Sequence, residues 1–164
     1  MFDIILQEIA SGFHEARDFW RVVIRLTLAM LFGAVVGVQR ERSGKAAGVR
    51  THMLVASGSA LFVLAAMEFG MDSDPLSRVI QGLITGIGFL GAGAILKLEE
   101  KRQIEGLTTA AGIWMTAGIG LAIGLGRFGL ALVSVVLAWF VLAAVKRIER
   151  WLNRDIPDSQ ETDS

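Results

Sequence analysis

Two groups of charged residues in this sequence could bind an ion or pair with one another. The first group contains Arg40, Glu41, Arg42, Lys45, Arg50 and His52, and the second contains Glu68, Asp72, Asp74 and Arg78. A hard cation such as Mg²⁺ binds one or two carboxylates together with carbonyl oxygens and water, so Glu41 and Asp74 are the candidate metal ligands. A solvated acidic loop has the same composition, so the pattern does not require a metal. We therefore expect no obligatory cofactor, and Mg²⁺ is the ion that these oxygens would suit.

Arg50, Thr51 and His52 stand at the beginning of an apolar segment, and Glu41 lies in the preceding polar stretch. An ion pair between Arg50 and Glu41 would cost little there, whereas an unpaired arginine drawn deeper into a bilayer would be costly. The sequence favours this pair. We interpret His52 as an interfacial histidine with its hydrogen bonds satisfied rather than as a metal ligand.

Motifs for catalysis are not found in the sequence. Cysteine is absent, and we find no Ser/His/Asp set, H-E-x-x-H motif or carboxylate pair that could support hydrolysis. Residues 86–91 match the dinucleotide-binding pattern G-x-G-x-x-G, but no alternating strand precedes them and no acidic residue follows at the required distance. The net charge is zero, which gives no reason to expect nucleic-acid binding. We expect a protein that is not an enzyme.

Five long apolar segments dominate the chain, which has 164 residues and 53% hydrophobic residues. They are residues 22–38, 53–69, 79–96, 107–126 and 128–145, and their only charged side chains are Arg25 and Glu68. Each segment is close to the roughly 20 residues that cross about 30 Å of hydrocarbon as a helix. The predicted fold class is therefore all-α, a polytopic membrane protein with five transmembrane helices. We expect Arg25 to extend towards the outer membrane surface.

The flanking segments complete the predicted organisation. Residues 1–20 have apolar side chains at helical spacing, which predicts an amphipathic helix that either lies in the membrane interface or packs on the bundle. The membrane domain is predicted at 21–150 and a polar tail at 151–164. Eleven Lys and Arg residues follow the first, third and fifth segments, which places them on one side of the membrane, and five lie on the opposite side. This distribution predicts an outside N-terminus and a cytoplasmic C-terminus.

Local sequence signals also predict helix ends and helix packing. Asp74 and Pro75 are predicted as the N-cap and first residue of the third helix, and a tight turn is predicted at Gly124, Gly126 and Gly129. Small-residue spacing typical of close helix contacts is found at Gly33 and Gly37, Gly82 and Gly86, and Gly120 and Gly124, with further glycines at Gly88, Gly91 and Gly93. The spacing fits packing within one chain or a homodimer interface. A broken helix whose carbonyl oxygens bind an ion is the other interpretation.

Several motifs in order resemble the MgtC/SapB family of bacterial inner-membrane proteins. They are GVQRE at 37–41, AGVRTHMLV at 47–55, Asp74-Pro75 with Arg78, GIGFLGAG at 86–93 and GLTTAAGIW at 106–114. The resemblance covers roughly residues 31–128. Its motif residues fall on Arg40, Glu41, Arg50, Thr51, Asp74, Arg78, Thr108, Thr109 and Trp114.

The resemblance implies an inner-membrane protein linked to magnesium homeostasis and, in some members, to virulence. It also implies action on other membrane proteins, so the expected function is regulatory and non-enzymatic, through helix-face contacts. The expected partners are the lipid bilayer, a second copy in a homodimer and other inner-membrane proteins, but no nucleic acid. The alternative is a divalent-cation transporter or channel for Mg²⁺, with a path past Glu41, Asp74, Thr85 and the carbonyl oxygens of residues 86–93.

This chain departs from the family pattern at particular positions. Gln39 stands where the family's G-x-E-R-E pattern has an acidic residue, so this chain has one carboxylate, Glu41, where the pattern has two. Glu105 stands where a basic residue is usual. The chain is expected to be a short form that lacks the C-terminal domain of ACT type.

Overall fold

The computed structural model describes residues 1, 4, 16–98 and 103–145, although the side chains at 96–98, 103–104 and 144–145 are not described. This part of the chain contains five helices: α1 (Ala16–Glu41), α2 (Val49–Glu68), α3 (Ser73–Gly93), α4 (Leu107–Gly124) and α5 (Phe128–Phe140). A π-helical turn (Val141–Val145) extends α5, and an antiparallel ribbon of β1 (Leu96–Leu98) and β2 (Gln103–Glu105) joins α3 to α4. The predicted helical membrane fold is confirmed, and the ribbon is an addition that the sequence analysis did not anticipate.

Helices α1 to α4 are long and apolar enough to cross a membrane by length and composition, and the apolar helix at Phe128–Ala143 is shorter. Helix α1 is described from Ala16, and residues 16–20 of the predicted N-terminal helix continue into the first membrane segment without a break. Most of the predicted amphipathic helix at 1–20 and all of the predicted tail at 151–164 lie outside the described residues.

Helix α2 lies between α1 and α4, and glycines make both contacts close. A Cβ atom on Gly33 of α1 would overlap the carbonyl oxygen of His52, and one on Gly37 would lie 2.6 Å from the Val49 Cα. On the other side of α2, a Cβ atom on Gly120 of α4 would overlap the Ala56 carbonyl oxygen. These glycines therefore serve packing within the chain, as small residues do where membrane helices approach closely.

The apolar core fills the space between these helices and α5. Its buried members include Ala29 and Val36 of α1, Ala56 and Ala60 of α2, Ile119 and Ile123 of α4, and Ala131 and Val135 of α5. Many are alanines, so the helix axes can come close without leaving voids. The core joins α1, α2, α4 and α5 into a frame of four helices.

Helix α3 lies at the edge of this frame. Its buried residues are Ile87 and Gly91, and a Cβ atom on Gly91 would lie 3.6 Å from the Ala110 Cβ of α4. The helix is continuous from Ser73 to Gly93. The interpretation of residues 86–93 as a broken helix with free carbonyl oxygens is therefore wrong, because an intact helix uses those oxygens in its own hydrogen bonds.

The structure corrects the predicted beginning of α3 and confirms the predicted turn after α4. The N-cap of α3 is Asp72, so Asp74 lies in the first turn of the helix and is not its cap. The turn between α4 and α5 is confirmed: Gly126 has a φ angle of +75°, a left-handed conformation that glycine adopts readily. This turn lets α5 fold back against the core.

Candidate functional site

Arg40 is a buried charged residue in the last turn of α1. Only 4% of its surface is exposed, and its Nη2 atom donates a hydrogen bond of 2.6 Å to the Thr109 hydroxyl of α4. Its Nε atom is buried and has no hydrogen-bond partner among the described residues. The contact with Thr109 fastens the end of α1 to the beginning of α4 across 69 residues of sequence.

His52 lies beside Arg40 in the first turn of α2 and is fully buried. The two side chains interact electrostatically. The His52 Nδ1 atom lies 2.7 Å from the Thr116 hydroxyl oxygen, which in turn lies 2.8 Å from the Gly112 carbonyl oxygen. The Thr116 hydroxyl thus joins the imidazole to the Gly112 carbonyl, and which atom donates between Nδ1 and Thr116 depends on the His52 tautomer.

The other ring nitrogen of His52, Nε2, is buried and has no hydrogen bond of good geometry within the described residues, although the Ala47 backbone interacts with the imidazole. The Arg40 Nε atom is likewise buried without a hydrogen-bond partner in this part of the chain.

The α4 sequence explains why these groups meet. Thr109, Gly112, Thr116 and Gly120 follow one another at steps of three and four residues, so they share one face of the helix. Gly112 lies next to the imidazole, since a Cβ atom there would be in ordinary van der Waals contact with the His52 Cε1 atom, at 3.6 Å. We call Arg40, His52, Thr109 and Thr116 the buried polar cluster.

Glu41 has a structural role next to this cluster. Its Oε2 atom accepts a 2.9 Å hydrogen bond from the backbone N–H of Val49, the first residue of α2. A carboxylate at a helix N-terminus satisfies an unpaired donor and interacts favourably with the helix dipole. Gly48 makes room for this contact, because a Cβ atom there would lie 2.7 Å from the same oxygen. Glu41 therefore closes the connection between α1 and α2.

The other predicted site residues at this end do not join the cluster. Arg50 and Thr51 are exposed at the start of α2, and the described residues contain no Arg50–Glu41 ion pair, since the Glu41 carboxylate turns to the Val49 N–H. Thr108 is exposed beside the buried Thr109, and Trp114 is 53% exposed. Of the motif residues, the structure brings together Arg40 and Thr109.

Asp74 and Arg78 lie in the first two turns of α3 and are exposed. Because α2 and α3 run in opposite directions through the bundle, these residues lie at the other end from Glu41 and Arg40. Glu41 and Asp74 therefore cannot bind the same metal ion. Within residues 16–98 and 103–145, no group of three or more His, Asp and Glu side chains is arranged to hold a metal.

Two polar side chains of α1 bind backbone carbonyl oxygens of other helices. Arg25 donates a 2.7 Å hydrogen bond from Nη1 to the carbonyl of Gly124 at the end of α4. Gln39 donates 2.9 Å from Nε2 to the carbonyl of Leu142 in the π-helical turn. Both contacts satisfy carbonyl groups at helix ends or irregular turns, which would be costly to leave unpaired in lipid.

The glycines of α3 have a different environment from those of α1 and α4. A Cβ atom on Gly82, Gly86, Gly88 or Gly93 would meet nothing within 4 Å, and Phe89 is 82% exposed. Gly82, Gly86, Phe89 and Gly93 follow spacings of four, three and four residues, so they lie on one side of the helix. We call these four residues the α3 glycine face. Thr85, which the ion path would require, donates its hydroxyl to the Gln81 carbonyl at 2.9 Å.

Sequence reasoning did not identify the environment of His52 or the role of Thr116. His52 is interior rather than interfacial, and its ring contacts the Thr116 hydroxyl and the Ala47 backbone. The spacing of Thr109, Gly112 and Thr116 with the glycines that follow was the available signal. It marks a small, polar helix face that must be covered by neighbouring helices.

Comparisons with known proteins place these features in a wider group. The model of the MgtC family matches residues 26–151. Protein SrpB of Synechococcus elongatus is 44% identical, covering 84% of this chain and 82% of SrpB. Protein MgtC of Salmonella typhi is 38% identical, covering 86% of this chain and 59% of MgtC. The protein YhiD of Escherichia coli K12, named a putative magnesium transporter, is 40% identical over 81% of this chain and 65% of YhiD. No solved structure matches the chain.

Proposed function

The chain belongs to the MgtC family of membrane proteins, and from this premise we propose that it is a regulatory, non-enzymatic component of magnesium homeostasis in the bacterial inner membrane. It acts by contacts between its helices and other membrane proteins. The link to magnesium rests on the family resemblance and on the name of the relative YhiD.

The α3 glycine face is the observation that carries this proposal. Gly33 and Gly37 of α1 and Gly120 and Gly124 of α4 are used in contacts with α2, whereas a Cβ atom on Gly82, Gly86 or Gly93 would meet no neighbour within 4 Å. Small residues allow two helix backbones to approach closely in lipid, where association depends on packing. The occupant we propose is a transmembrane helix of another protein. A homodimer through the same face is the competing arrangement, and the mass of a cross-linked product separates the two.

The buried polar cluster supports this role by making the frame rigid. Arg40 fastens α1 to α4, and Glu41 closes the connection between α1 and α2. Helix α3, which buries little of its own surface, is then held against α4 near Gly91 and Ala110. A rigid frame presents the α3 glycine face in one orientation.

The alternative function, transport of a divalent cation, receives less support from the same residues. The charged group buried in the described interior is Arg40, a cation, and a cation beside a path repels Mg²⁺ strongly where the dielectric constant is low. The carboxylates of Glu41 and Asp74 lie at opposite ends of the bundle.

The orientation of the helices is part of the proposal. Arg40, Arg42, Lys45 and Arg50 gather at one end of the bundle, while Asp72 and Asp74 lie at the other. Positively charged loops accumulate on the cytoplasmic side, so the N-terminus is outside and the C-terminus cytoplasmic. Because the chain has no cysteine, single variants test this cleanly: a membrane-impermeant thiol reagent applied to intact spheroplasts should label Asp72→Cys and spare Lys45→Cys, and the reverse labelling would refute the orientation.

Growth at limiting magnesium tests the proposed role. A strain deleted for its own gene of this family is complemented with Gly86→Leu, which covers the α3 glycine face, or with Gly118→Leu. Gly118 is the matched control, since it is a helical glycine of α4 that also has nothing within 4 Å of a Cβ position. Leucine has a higher helix propensity than glycine, so both substitutions favour the helix. Gly86→Leu should abolish growth at normal protein levels while Gly118→Leu supports it, and equal growth of the two strains would contradict the proposal.

A transport assay separates the two functions. The purified chain is reconstituted into liposomes that contain a magnesium-sensitive dye. We expect no protein-dependent entry of Mg²⁺. Entry that Asp74→Asn abolishes would establish the transporter function instead.

A further inference from the structure

Arg78 has a positive charge that no carboxylate among the described residues neutralises. Its side chain is exposed, and its guanidinium group forms no hydrogen bond or ion pair with the described part of the chain. Asp74 lies one turn earlier on α3, yet the two side chains form no ion pair. The guanidinium group is therefore available to a partner outside this chain.

Arg78 lies on the same side of α3 as the α3 glycine face. Gly82 and Gly86 follow it at steps of four residues, and Phe89 and Gly93 complete the set. At 3.6 residues per turn, these five residues fall within an arc of about 80° around the helix axis. A Cβ atom on Gly82 or Gly86 would meet nothing within 4 Å, so a docked backbone can approach closely there. A helix that packs against these glycines therefore comes within reach of the long Arg78 side chain.

Arg78 also marks the edge of the membrane-spanning part of α3. It is the last charged residue before the apolar segment at 79–96. A helix docked at this boundary displaces water from the guanidinium group, and an ion pair is stronger where water is partly excluded. The same docking leaves the charge poorly solvated if the incoming helix offers no acceptor. A carboxylate on the docked helix is the group that meets this requirement.

The charge also distinguishes between the possible occupants of the face. Two copies of this chain insert into the membrane in the same orientation, so a symmetric contact through Gly82 and Gly86 would place both Arg78 side chains at one depth. Like charges at that depth repel one another. The carboxylate of Asp74 in a second copy would lie a full turn away, about 6 Å along the helix axis. The position of Arg78 therefore favours a different protein over a second copy.

We propose that the α3 glycine face, together with Arg78, binds a transmembrane helix that carries an aspartate or glutamate at the depth of Arg78. The glycines admit the backbone of that helix, and the guanidinium group donates two parallel N–H bonds to its carboxylate. The ion pair provides selectivity, because a helix without the carboxylate leaves Arg78 unpaired. This inference rests on the function proposed for the α3 glycine face and specifies the chemistry of its partner.

The test is photo-cross-linking in intact cells grown at limiting magnesium, with a photoreactive phenylalanine analogue in place of Phe89. Arg78→Gln removes the charge, and Arg78→Lys keeps it without the planar fork of donors. Arg127→Gln is the matched control, since Arg127 is exposed before α5 at the same end of the bundle. The yield of protein adduct should fall at least about ten-fold in Arg78→Gln, which corresponds to about 1.4 kcal/mol. It should fall less in Arg78→Lys and stay at the parent level in Arg127→Gln.

An unchanged yield in Arg78→Gln, as expected if this side chain binds only lipid headgroups, would refute the inference. Equal losses in Arg78→Gln and Arg127→Gln would refute it as well. A parent chain that gives no protein adduct at position 89 would refute the function proposed for the face and this inference with it. An adduct that forms but is insensitive to Arg78 would refute this inference alone.

Charge exchange then tests the ion pair itself. Mass spectrometry of the adduct identifies the cross-linked helix, which should contain an aspartate or glutamate near the end that meets Arg78. Arg78→Glu should abolish the adduct, and replacing that carboxylate of the identified protein with arginine should restore it. A cross-linked helix without an acidic residue, an adduct with a second copy of this chain, or no restoration after the exchange would overturn the proposal.

Discussion

Replacing Gly120 with alanine tests the central contact between α2 and α4. A Cβ atom at this position would overlap the Ala56 carbonyl oxygen and lie 2.8 Å from the Ala56 Cα. These are backbone atoms, so a side-chain rotation cannot relieve the overlap and the two helices must move apart. Overpacking a close contact costs typically about 1–3 kcal/mol.

Gly118 provides a control for the same substitution in the same helix. A Cβ atom there would meet nothing within 4 Å, so Gly118→Ala changes helix propensity without changing packing. Alanine is favoured over glycine in a helix by about 1 kcal/mol, and this gain is common to Gly118→Ala and Gly120→Ala. It cancels in the comparison, which leaves the packing cost of about 1–3 kcal/mol.

The assay is thermal unfolding of the two purified variants in one detergent. For a chain of this size, 1 kcal/mol corresponds to about 2–4 °C in Tm, so Gly120→Ala should unfold about 2–12 °C below Gly118→Ala. Equal Tm values would refute the inference that the α4 glycines exist to admit the α2 backbone. They would equally weaken the interpretation of Gly124, which contacts the same face of α2 at Ala60.

Three further substitutions test individual contacts by the change in Tm. Thr116→Val removes the hydrogen-bond partner of the buried His52 Nδ1 atom and should destabilise the protein by about 1–3 kcal/mol, whereas Thr108→Val at an exposed position should stay within about 0.5 kcal/mol of the parent; similar losses would contradict the stabilising role of the buried bond. Glu41→Ala should lower the free energy of unfolding by about 0.5–2 kcal/mol through the loss of a helix cap. Glu41→Gln, which keeps an acceptor oxygen, should keep most of that stability, and equal losses in the two variants would contradict the capping role. Gln39→Glu cannot donate to the carbonyl in the π-helical turn and should cost about 1–3 kcal/mol at pH 7.5, with the difference from the parent narrowing at acidic pH as the carboxyl gains a proton; an unchanged Tm would show that this bond is dispensable.

The helices were predictable from the sequence because each apolar segment has the length that a bilayer demands. Their ends were less so. The amphipathic pattern of residues 1–20 suggested a separate helix before the first span, yet α1 runs from Ala16 into that span without a break. The ribbon of β1 and β2 was missed because each strand has only three residues, too few to show a period.

The buried polar cluster could be predicted only in part. Arg40 and Thr109 were named from a family resemblance, but their contact spans 69 residues of sequence, and that of His52 with Thr116 spans 64. Such contacts depend on the rotation of each helix about its axis, which the glycine contacts with α2 determine. The three glycine pairs have the same spacing, so the sequence could not distinguish them. The packing shows that the pairs of α1 and α4 contact α2, whereas a Cβ atom on either glycine of the α3 pair would meet no neighbour within 4 Å.

Photo-cross-linking from the α3 glycine face tests the proposed mode of action most directly. A photoreactive phenylalanine analogue replaces Phe89, and in a second strain it replaces Val136, which is 58% exposed on α5. Irradiation of intact cells grown at limiting magnesium should give a discrete protein adduct from position 89, identified by mass spectrometry as another membrane protein and abolished by Gly86→Leu, with none from position 136. Adducts only with lipid at position 89, or the same products from both positions, would contradict the account.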